Sequence, residues 1–523
     1  MCHKTILARI PEHNNYNMKK LLSLALASAA TLPSLAGGLV TNTNQNAAFL
    51  RQLSQEAIID ITGLYMNPAG TAFLAPGAHV SFNIQNAKQS RDIATNFPLF
   101  AMNTNNSNPL HEFKGDAYAP VIPSIQFSYN WEKWSINANF ALGGGGGKCE
   151  FDAGLGSFEA LYAGQLSQLV PAAVNAQLSQ VLPAQLTAGL QAAGVPAPYA
   201  SQLAATETHY SQLTGYSLNA YMKGRQYYFG LSLGATYKLM DNLAVFGGLR
   251  AVYSTNNYNG YVEDIKAKYS YAYEVPAQAA LGFPGTSGTG AGEQDLSDRS
   301  LGLNADQTGW GFTPMLGIDW KINEHWNLAA KYEFKTRLRL ENKTEMNDFA
   351  KQQAAGNPVL GQFQDGTKIA ADIPAFFAAG VQYSPISCLR LQAGYHWYGD
   401  KSATQYGNKQ DKIDDNTWEM TAGVEWDLCK LITLSGGWQS TNYGLSDAYM
   451  NDLSFTTNSN SWGVGARINL TEKWNIDLGF MQTLYKDRTV DTVAGEIAGK
   501  PLIKSDTYSR TNRVLGIGLN FKF

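Results

Sequence analysis

The sequence predicts an all-β fold: a transmembrane antiparallel β-barrel of about 14 strands, with an N-terminal plug in its lumen and long extracellular loops. Three observations predict it. Composition is poor in charge, apolar residues recur with period two, and the connections are alternately short and long. The 523 residues are 44% hydrophobic and 15% charged, with 50 Gly, 23 Phe, 27 Tyr and 11 Trp, whereas soluble domains carry about a quarter charged residues. Mean hydropathy is −0.23, and beyond the N-terminal stretch no window offers the roughly 18 unbroken apolar residues of a spanning helix. A polytopic helical membrane protein is thereby excluded. A formal net charge of −3 excludes a nucleic-acid binder built on a basic footprint. Four cysteines are too few for a disulfide framework.

The chain opens with an export signal. Lys19 and Lys20 precede the apolar run Leu21 to Ala30, then Leu32-Pro33-Ser34-Leu35-Ala36 and Gly37-Gly38. A charged start, a short apolar core and a small-x-small site make a cleaved signal peptide over 1–36. Residues 1–17, with His3, Glu12 and His13, do not suit its charged start, so translation is expected to begin at Met18. Removing 1–36 leaves a mildly acidic exported chain.

Period-two alternation fills the remainder. In Val514 to Phe523 the large apolar residues Leu515, Ile517, Leu519, Phe521 and Phe523 alternate with Gly, Asn and Lys. Trp418, Met420, Ala422, Val424 and Trp426 alternate with Glu419, Thr421, Gly423 and Glu425. Such segments fall near 78–88, 120–131, 133–143, 226–239, 241–256, 308–321, 325–341, 368–383, 388–401, 415–428, 431–442, 460–470, 473–487 and 507–523. An even number suits a bacterial barrel. By this parity Leu478 faces lipid and Asp477 the lumen, so Leu478→Arg is expected to harm assembly and Asp477→Ala to be mild.

Tight turns at Glu132-Lys133, Met240-Asp241, Asn323-Glu324, Pro385-Ile386, Cys429-Lys430 and Thr471-Glu472 alternate with long links at 89–119, 144–225, 257–307, 342–367, 402–414, 443–459 and 488–506. These are the periplasmic and extracellular ends of an outer-membrane barrel. Trp131, Trp134, Trp320, Trp326, Trp426 and Trp474 mark the short-turn ends, and Trp310, Trp397, Trp418, Trp438 and Trp462 the long-loop ends. Two belts of amphipathic rings separated by one strand length are an aromatic girdle. A terminal Phe523 closing such a strand suits recognition by the barrel-assembly machinery. Residues 37–76, which include Phe49, precede the first strand and do not alternate. A barrel this wide leaves a lumen that side chains alone do not fill, so this segment reads as a plug within the barrel, 77–523.

On these residues the chain resembles the FadL/TodX outer-membrane transporters of long-chain fatty acids and other hydrophobic compounds. The resemblance rests on Asn67-Pro68-Ala69, Val121-Ile122-Pro123, Gly309-Trp310-Gly311-Phe312, Asp372-Ile373-Pro374 and the strand count. It implies a monomer in outer-membrane lipid, plugged by an N-terminal hatch carrying the Asn67-Pro68-Ala69 motif. It also implies passive uptake of a long-chain fatty acid or similar hydrophobic molecule without a cofactor. Substrate would be caught by apolar loops, bound inside near Phe49, and released sideways beside a kinked third strand. Movement of Gly37, Gly38, Leu39 and Val40 would gate that release.

Three stretches bear on such a route. The loop after the third segment carries Leu161, Leu166, Leu169, Leu178 and Leu182 in Ala/Leu-rich patterns that read as short amphipathic helices broken by Pro171, Pro183 and Pro196. They either collect an acyl chain or pack together as a lid. The third segment runs into Gly143, Gly144, Gly145, Gly146 and Gly147, which pair poorly and permit bends, either a gap in the wall or a loop hinge. Parity points Arg250, Lys335, Arg337, Arg339, Arg390 and Arg467 into the lumen. Arg250, Arg337 and Arg339 would meet either a substrate carboxylate or lumenal acids such as Glu333, Glu425, Glu56 and Asp60.

Other chemistry is sparse. The histidines lack metal-ligand spacing, His396 belongs to no catalytic motif, and a Cys388–Cys429 disulfide is open, with Cys149 left free. Two further readings remain beside uptake: a general porin, and a surface adhesin using the long Gly/Tyr/Asn-rich loops.

Overall fold

The protein is described by a computed structural model over residues 38–354, 358–497 and 499–523. The expected leader 1–36 and Gly37 lie outside the described residues. A short helix α1 (Ala47–Gln52) and two 3-10 turns precede the first strand. Then come β1 (Gly77–Asn96), β2 (Leu110–Asn130) and β3 (Trp134–Phe151), a 37-residue helix α2 (Gly156–Ala192) and α3 (Ala197–Ala204). Next are β4 (Thr208–Met240), β5 (Leu243–Val275), β6 (Thr286–Asp295), β7 (Leu301–Lys321), β8 (Trp326–Glu333) and β9 (Arg339–Met346). Helix α4 (Asp348–Ala354) and the single turn α5 (Pro358–Gly361) lead to β10 (Lys368–Ala370), β11 (Phe376–Ile386), β12 (Leu389–Tyr398) and β13 (Trp418–Asp427). β14 (Ile432–Asn442), β15 (Ser459–Asn469), β16 (Trp474–Tyr485), β17 (Arg488–Ile497) and β18 (Lys500–Lys522) complete the chain.

All the strands belong to one antiparallel sheet that closes where β1 pairs with β18 from His79↔Lys522 to Asn96↔Ser505. Its membrane ring has 14 wall strands. β8 and β9 form one of them, as do β10 and β11. Outward side chains are the apolar ones: Leu478, Ile517, Leu515 and Trp438 are 40–58% exposed, while inward Asp477 and Asn512 are fully buried. Closure joins the first wall strand to the last, and the pleat then sorts lipid-facing from lumen-facing residues.

β6 and β17 stand outside the ring, within segments expected as loops. β6 pairs with the upper end of β5, and β17 with the start of β18. Gly288, Gly290 and Gly292 of β6 lie under the rings of Tyr273, Tyr271 and Tyr269 directly opposite on β5. Those rings supply the packing that the glycines lack, which explains a strand in a Gly-rich sequence.

Two prolines expected to break the loop helix do not. α2 runs through Pro171 and Pro183 and ends before Pro196. Leu166, Val170 and Val174, then Leu182, Leu186 and Leu190, repeat at i+4 and keep one stripe buried on both sides of the prolines. The sole acid among the buried helix residues, Glu159, is met by His111 Nδ1 at 2.8 Å, Asn103 Nδ2 at 2.7 Å and the Tyr216 hydroxyl at 3.0 Å, which pins the helix start to the barrel.

The expected lumenal parity of Arg337 and Arg339 is overturned. In β8 the odd residues Asn327, Ala329, Lys331 and Glu333 face inward, whereas in β9 the even residues Leu340 and Asn342 do. The phase slips across 334–338, where pairing is reduced to a single bridge, Thr336↔Ile373. Gly309 and Gly311 of β7 face this slip, with no side chain to meet Leu340 or Thr336. Both arginines are therefore exposed on the outer face. The Cys388–Cys429 disulfide is absent: Cys149, Cys388 and Cys429 are all free thiols. Register places Cys388 beside Asp427, with the Asp427 amide donating to its carbonyl, and Cys429 falls beyond, in the turn.

Leu478→Arg should cost roughly 2–4 kcal/mol of barrel stability, seen as a lower urea midpoint for the heat-modifiable folded band. An unchanged midpoint would overturn the parity.

Candidate functional site

The hatch, residues 38–76, fills the lower lumen. At six residues α1 is too short to hold itself. Asn46 caps it by accepting from the Phe49 amide at 2.8 Å, and Leu53 ends it in the left-handed region. All six residues are buried because the wall comes to meet them. Gly423, Gly437, Gly463, Gly465, Gly479 and Gly516 line up on the inner face of β13 to β16 and β18, paired Gly423↔Gly437↔Gly463 and Gly465↔Gly479↔Gly516. A methyl at Gly423 would stand 2.6 Å from the Gln52 carbonyl, and one at Gly516 2.7 Å from Leu50. The glycines make the trough in which the helix lies. Their signal in the sequence is glycine recurring at lumenal parity in mid-strand.

Charge fastens the helix in the trough. Arg51 is 1% exposed and reaches both Glu425 (2.6 Å) and Asp477 (3.0 Å). Arg467 joins Asp477 (2.9 Å) to hatch residue Asp60 (3.0 Å), and Arg390 joins Glu425 (3.2 Å) to Asp427 (2.7 Å). Hatch residue Glu56 contacts His396 Nε2 at 2.6 Å, whose Nδ1 lies 2.8 Å from Glu419. Arg250 pairs with Glu333, which also takes Lys331 at 2.9 Å, and Lys331 Nζ stands 3.7 Å from the centre of the Tyr65 ring. So Arg250 meets a lumenal acid, Glu333, one of the two kinds of partner expected for it. Arg337 and Arg339 take no part, and Arg339 instead meets Asp372 at 2.6 Å.

Asn67, Pro68 and Ala69 bolt the hatch base. Asn67 Oδ1 accepts from the Gly70 amide (3.0 Å), while its amide nitrogen donates to the Ile58 carbonyl (3.2 Å) and to Asp319 of β7. The Pro68 carbonyl accepts from Thr71 (2.7 Å) and Thr236 of β4 (3.0 Å), and Ala69 is fully buried against Phe246 and Met315.

At its other end the hatch pairs with the wall. Thr41 bridges Gly144, the Asn42 amide donates to the Gly143 carbonyl (3.0 Å), and the Gly145 amide donates to the Val40 carbonyl (3.0 Å). Gly145 and Gly147 have φ of +90° and +73°, which a glycine adopts without strain. Here two wall strands part company: β2 and β3 are paired up to Ile125↔Phe140 and again at Asp116↔Glu150, but not between. Pro120 and Pro123 on β2 offer no amide to that stretch. β3 remains paired with β4 through two bulges. Gly38 lies against the Tyr398 ring, and Leu39 and Val40 are buried in the lumenal core.

Above the hatch, α2 and α5 meet β4, β5 and β7 around an apolar pocket. Its lining is Phe158, Leu161, Tyr162, Met222, Tyr258, Val262, Leu301, Leu303, Leu360, Phe363, Leu453 and the backbone of Gly260, with no charged side chain. Tyr258 and Phe363 also line a second pocket that reaches Tyr228, the residue against Gly144. A third, small space lies at the unpaired stretch, between Asn42, Gln45, Pro123 and Leu142. Of the five loop leucines, Leu161 lines the apolar pocket. Leu166 and Leu182 are buried in helix packing, and Leu169 and Leu178 are half-buried. Phe49 packs beneath, in the hatch core.

Over 354–523 the chain matches the family model of the outer membrane protein beta-barrel domain. The solved structure of a Pseudomonas aeruginosa FadL homologue superposes with a TM-score of 0.58 at 15% identity, covering 95% of this chain and all of that one. The fold is that of a FadL-type barrel. The deltaS2S3 and deltaS2 mutants of TodX, described as a monoaromatic hydrocarbon channel, align with TM-scores of 0.52 and 0.50 at 11% and 12% identity. They cover 93% and 92% of this chain and 100% and 98% of theirs. A comparison with curated proteins returns no match.

In this FadL-type barrel Asp477 is no mild position, contrary to the parity-only expectation, because Arg51 and Arg467 both depend on it. Asp477→Ala should cost about 3–5 kcal/mol, as breaking buried pairs does, by lowering the urea midpoint of a fluorophore attached at residue 44 more than that of the barrel. Burial raises the Asp60 carboxyl, but Arg467 overrides it and holds the group well below the usual carboxylate range; for Glu56, His396 does the same. Groups depressed in the folded state stabilise fully above their unfolded pKa and lose that contribution as pH falls. The hatch midpoint should therefore hold steady above about pH 5 and drop below about pH 4, a drop that Asp60→Asn should reduce.

Proposed function

We propose that the protein is an outer-membrane channel for passive uptake of long-chain fatty acids or similar hydrophobic compounds. The observation that carries this reading is the apolar, uncharged lining of the pocket above the plug. Each methylene moved there from water is favoured by about 0.8 kcal/mol, and no charged group lines it. In this scheme a ligand enters beside α2, whose Leu161 faces the cavity, and passes Tyr258 and Tyr228 towards Gly144. It leaves sideways through the unpaired stretch between β2 and β3. The segment Gly38 to Asn42 gates that exit, because its backbone bonds to Gly143 and Gly145 occupy the inner side of the opening. The filled lower lumen argues against a general porin, which needs an aqueous channel.

Calorimetric titration of the folded mature barrel with a long-chain fatty acid, and with a monoaromatic hydrocarbon, tests the proposal. Saturable binding of one of them is expected, weakened at least about tenfold by Leu161→Asp, since an unpaired charge in an apolar site is costly. Deleting residues 37–46 should weaken binding as well. No saturable binding of either probe would return the adhesin reading to first place.

A further inference from the structure

One row on the outside of the barrel combines features that lipid-facing surface does not need. The register runs Trp438↔Trp462, Trp462↔Gln482, Gln482↔Arg513, Arg513↔Lys88 and Lys88↔Tyr118 across six neighbouring strands. All six side chains have outward parity. Below them on β18, Leu515, Ile517 and Leu519 are 58%, 50% and 39% exposed and mark the apolar band. The row thus stands at the outer-leaflet interface, on the long-loop side, at the level of the upper tryptophans.

Two cations directly opposite each other on adjacent strands repel. Among the described residues neither Lys88 nor Arg513 has an ion pair. The acid diagonal to Lys88, Asp116 beside Ser90, makes none with it. Arg513 Nε donates to Gln482 Oε1 at 2.8 Å, and this outward-parity glutamine is only 7% exposed. The fork is held in place, and its terminal nitrogens have no acceptor among the described residues. A fixed guanidinium and an ammonium side by side, flanked by Trp462 and Tyr118 at headgroup depth, match the chemistry of a phosphate monoester carried by a lipid. Opposed to them on the outer leaflet of a Gram-negative membrane is a saccharolipid bearing such phosphates.

We propose that Lys88 and Arg513, framed by Trp462, Gln482 and Tyr118, bind the phosphate of an outer-leaflet phosphorylated saccharolipid, whose acyl chains lie along Leu515 and Ile517. The site adjoins the unpaired stretch of β2, so the bound lipid fixes the bilayer edge beside the wall opening. It does not depend on which hydrophobic compound the lumen takes.

The test is binding of lipopolysaccharide to the detergent-folded mature protein by native mass spectrometry, beside the same lipid stripped of its lipid A phosphates. Wild type should prefer the phosphorylated lipid by about tenfold or more, since each interfacial cation contributes on the order of 1 kcal/mol. The double variant Lys88→Gln/Arg513→Gln should bind both lipids alike, at the level of wild type with the stripped one. Lys114→Gln, an outward cation already paired with Glu112, should change nothing. Millimolar inorganic phosphate should compete weakly, showing that the acyl chains contribute. Equal affinity of wild type for the two lipids overturns the proposal, whether or not the variants fold. So does unchanged preference in a double variant that keeps wild-type heat-modifiable migration.

Discussion

The structure depends on how a wide barrel disposes of the charge on its inner wall. Fourteen strands enclose more space than inward side chains fill, and the wall cannot be apolar on both faces without losing its orientation in the membrane. The lumenal face therefore carries Asp477, Glu425, Glu419, Glu333 and Lys331, all buried. Each would be costly alone. The hatch brings the counter-charges: Arg51 between Glu425 and Asp477, Asp60 onto Arg467, Glu56 onto His396. Buried ion pairs contribute little net stability against an apolar alternative, yet removing one member leaves the other stranded. That asymmetry makes the hatch a specific fit rather than a greasy stopper.

Close approach is the other half of that fit. Charged ends reach their partners because the glycine trough lets backbone touch backbone, with Ala47, Leu50 and Gln52 set against Gly479, Gly516 and Gly423. The lower hatch thus binds through side-chain charge and glycine contact, and its upper end through main-chain bonds to Gly143 and Gly145. The first kind holds a fixed position, and the second is the sort of pairing that exchanges readily at a strand edge. A hatch anchored below and edge-paired above is the arrangement that the proposed gate requires.

Much of the barrel was legible in the sequence because its signal is local. Alternation needs only neighbours two residues apart, so the wall strands, the short turns and the tryptophan belts follow from reading along the chain. What escaped depends on distance or on exceptions to the period. The trough joins residues hundreds apart in sequence, so its glycines read only as weak points in strands. The slip at 334–338 reverses parity without any unusual residue, and so Arg337 and Arg339 were assigned to the wrong face. β6 is hidden by a Gly-rich sequence because its stabilising rings belong to β5. Pro171 and Pro183 looked like helix breaks because the packing that carries α2 through them lies on other elements.

The length of β4 and β5 sets the altitude of the apolar cavity. Each strand has 33 residues, which at about 3.3 Å per residue and a tilt near 40° rises about 80 Å, roughly three times the apolar band of about 25 Å. Outer faces record where lipid stops: Leu231, Leu233 and Leu249 give way to Arg225, Lys223, Asn257 and Asn259. Met222, Tyr258 and Val262 lie beyond that change. This apolar pocket is thus held in a turret one sheet thick, beyond the level of the bilayer. On the proposed route a molecule taken up there would meet the membrane only after descending, and would meet it from inside.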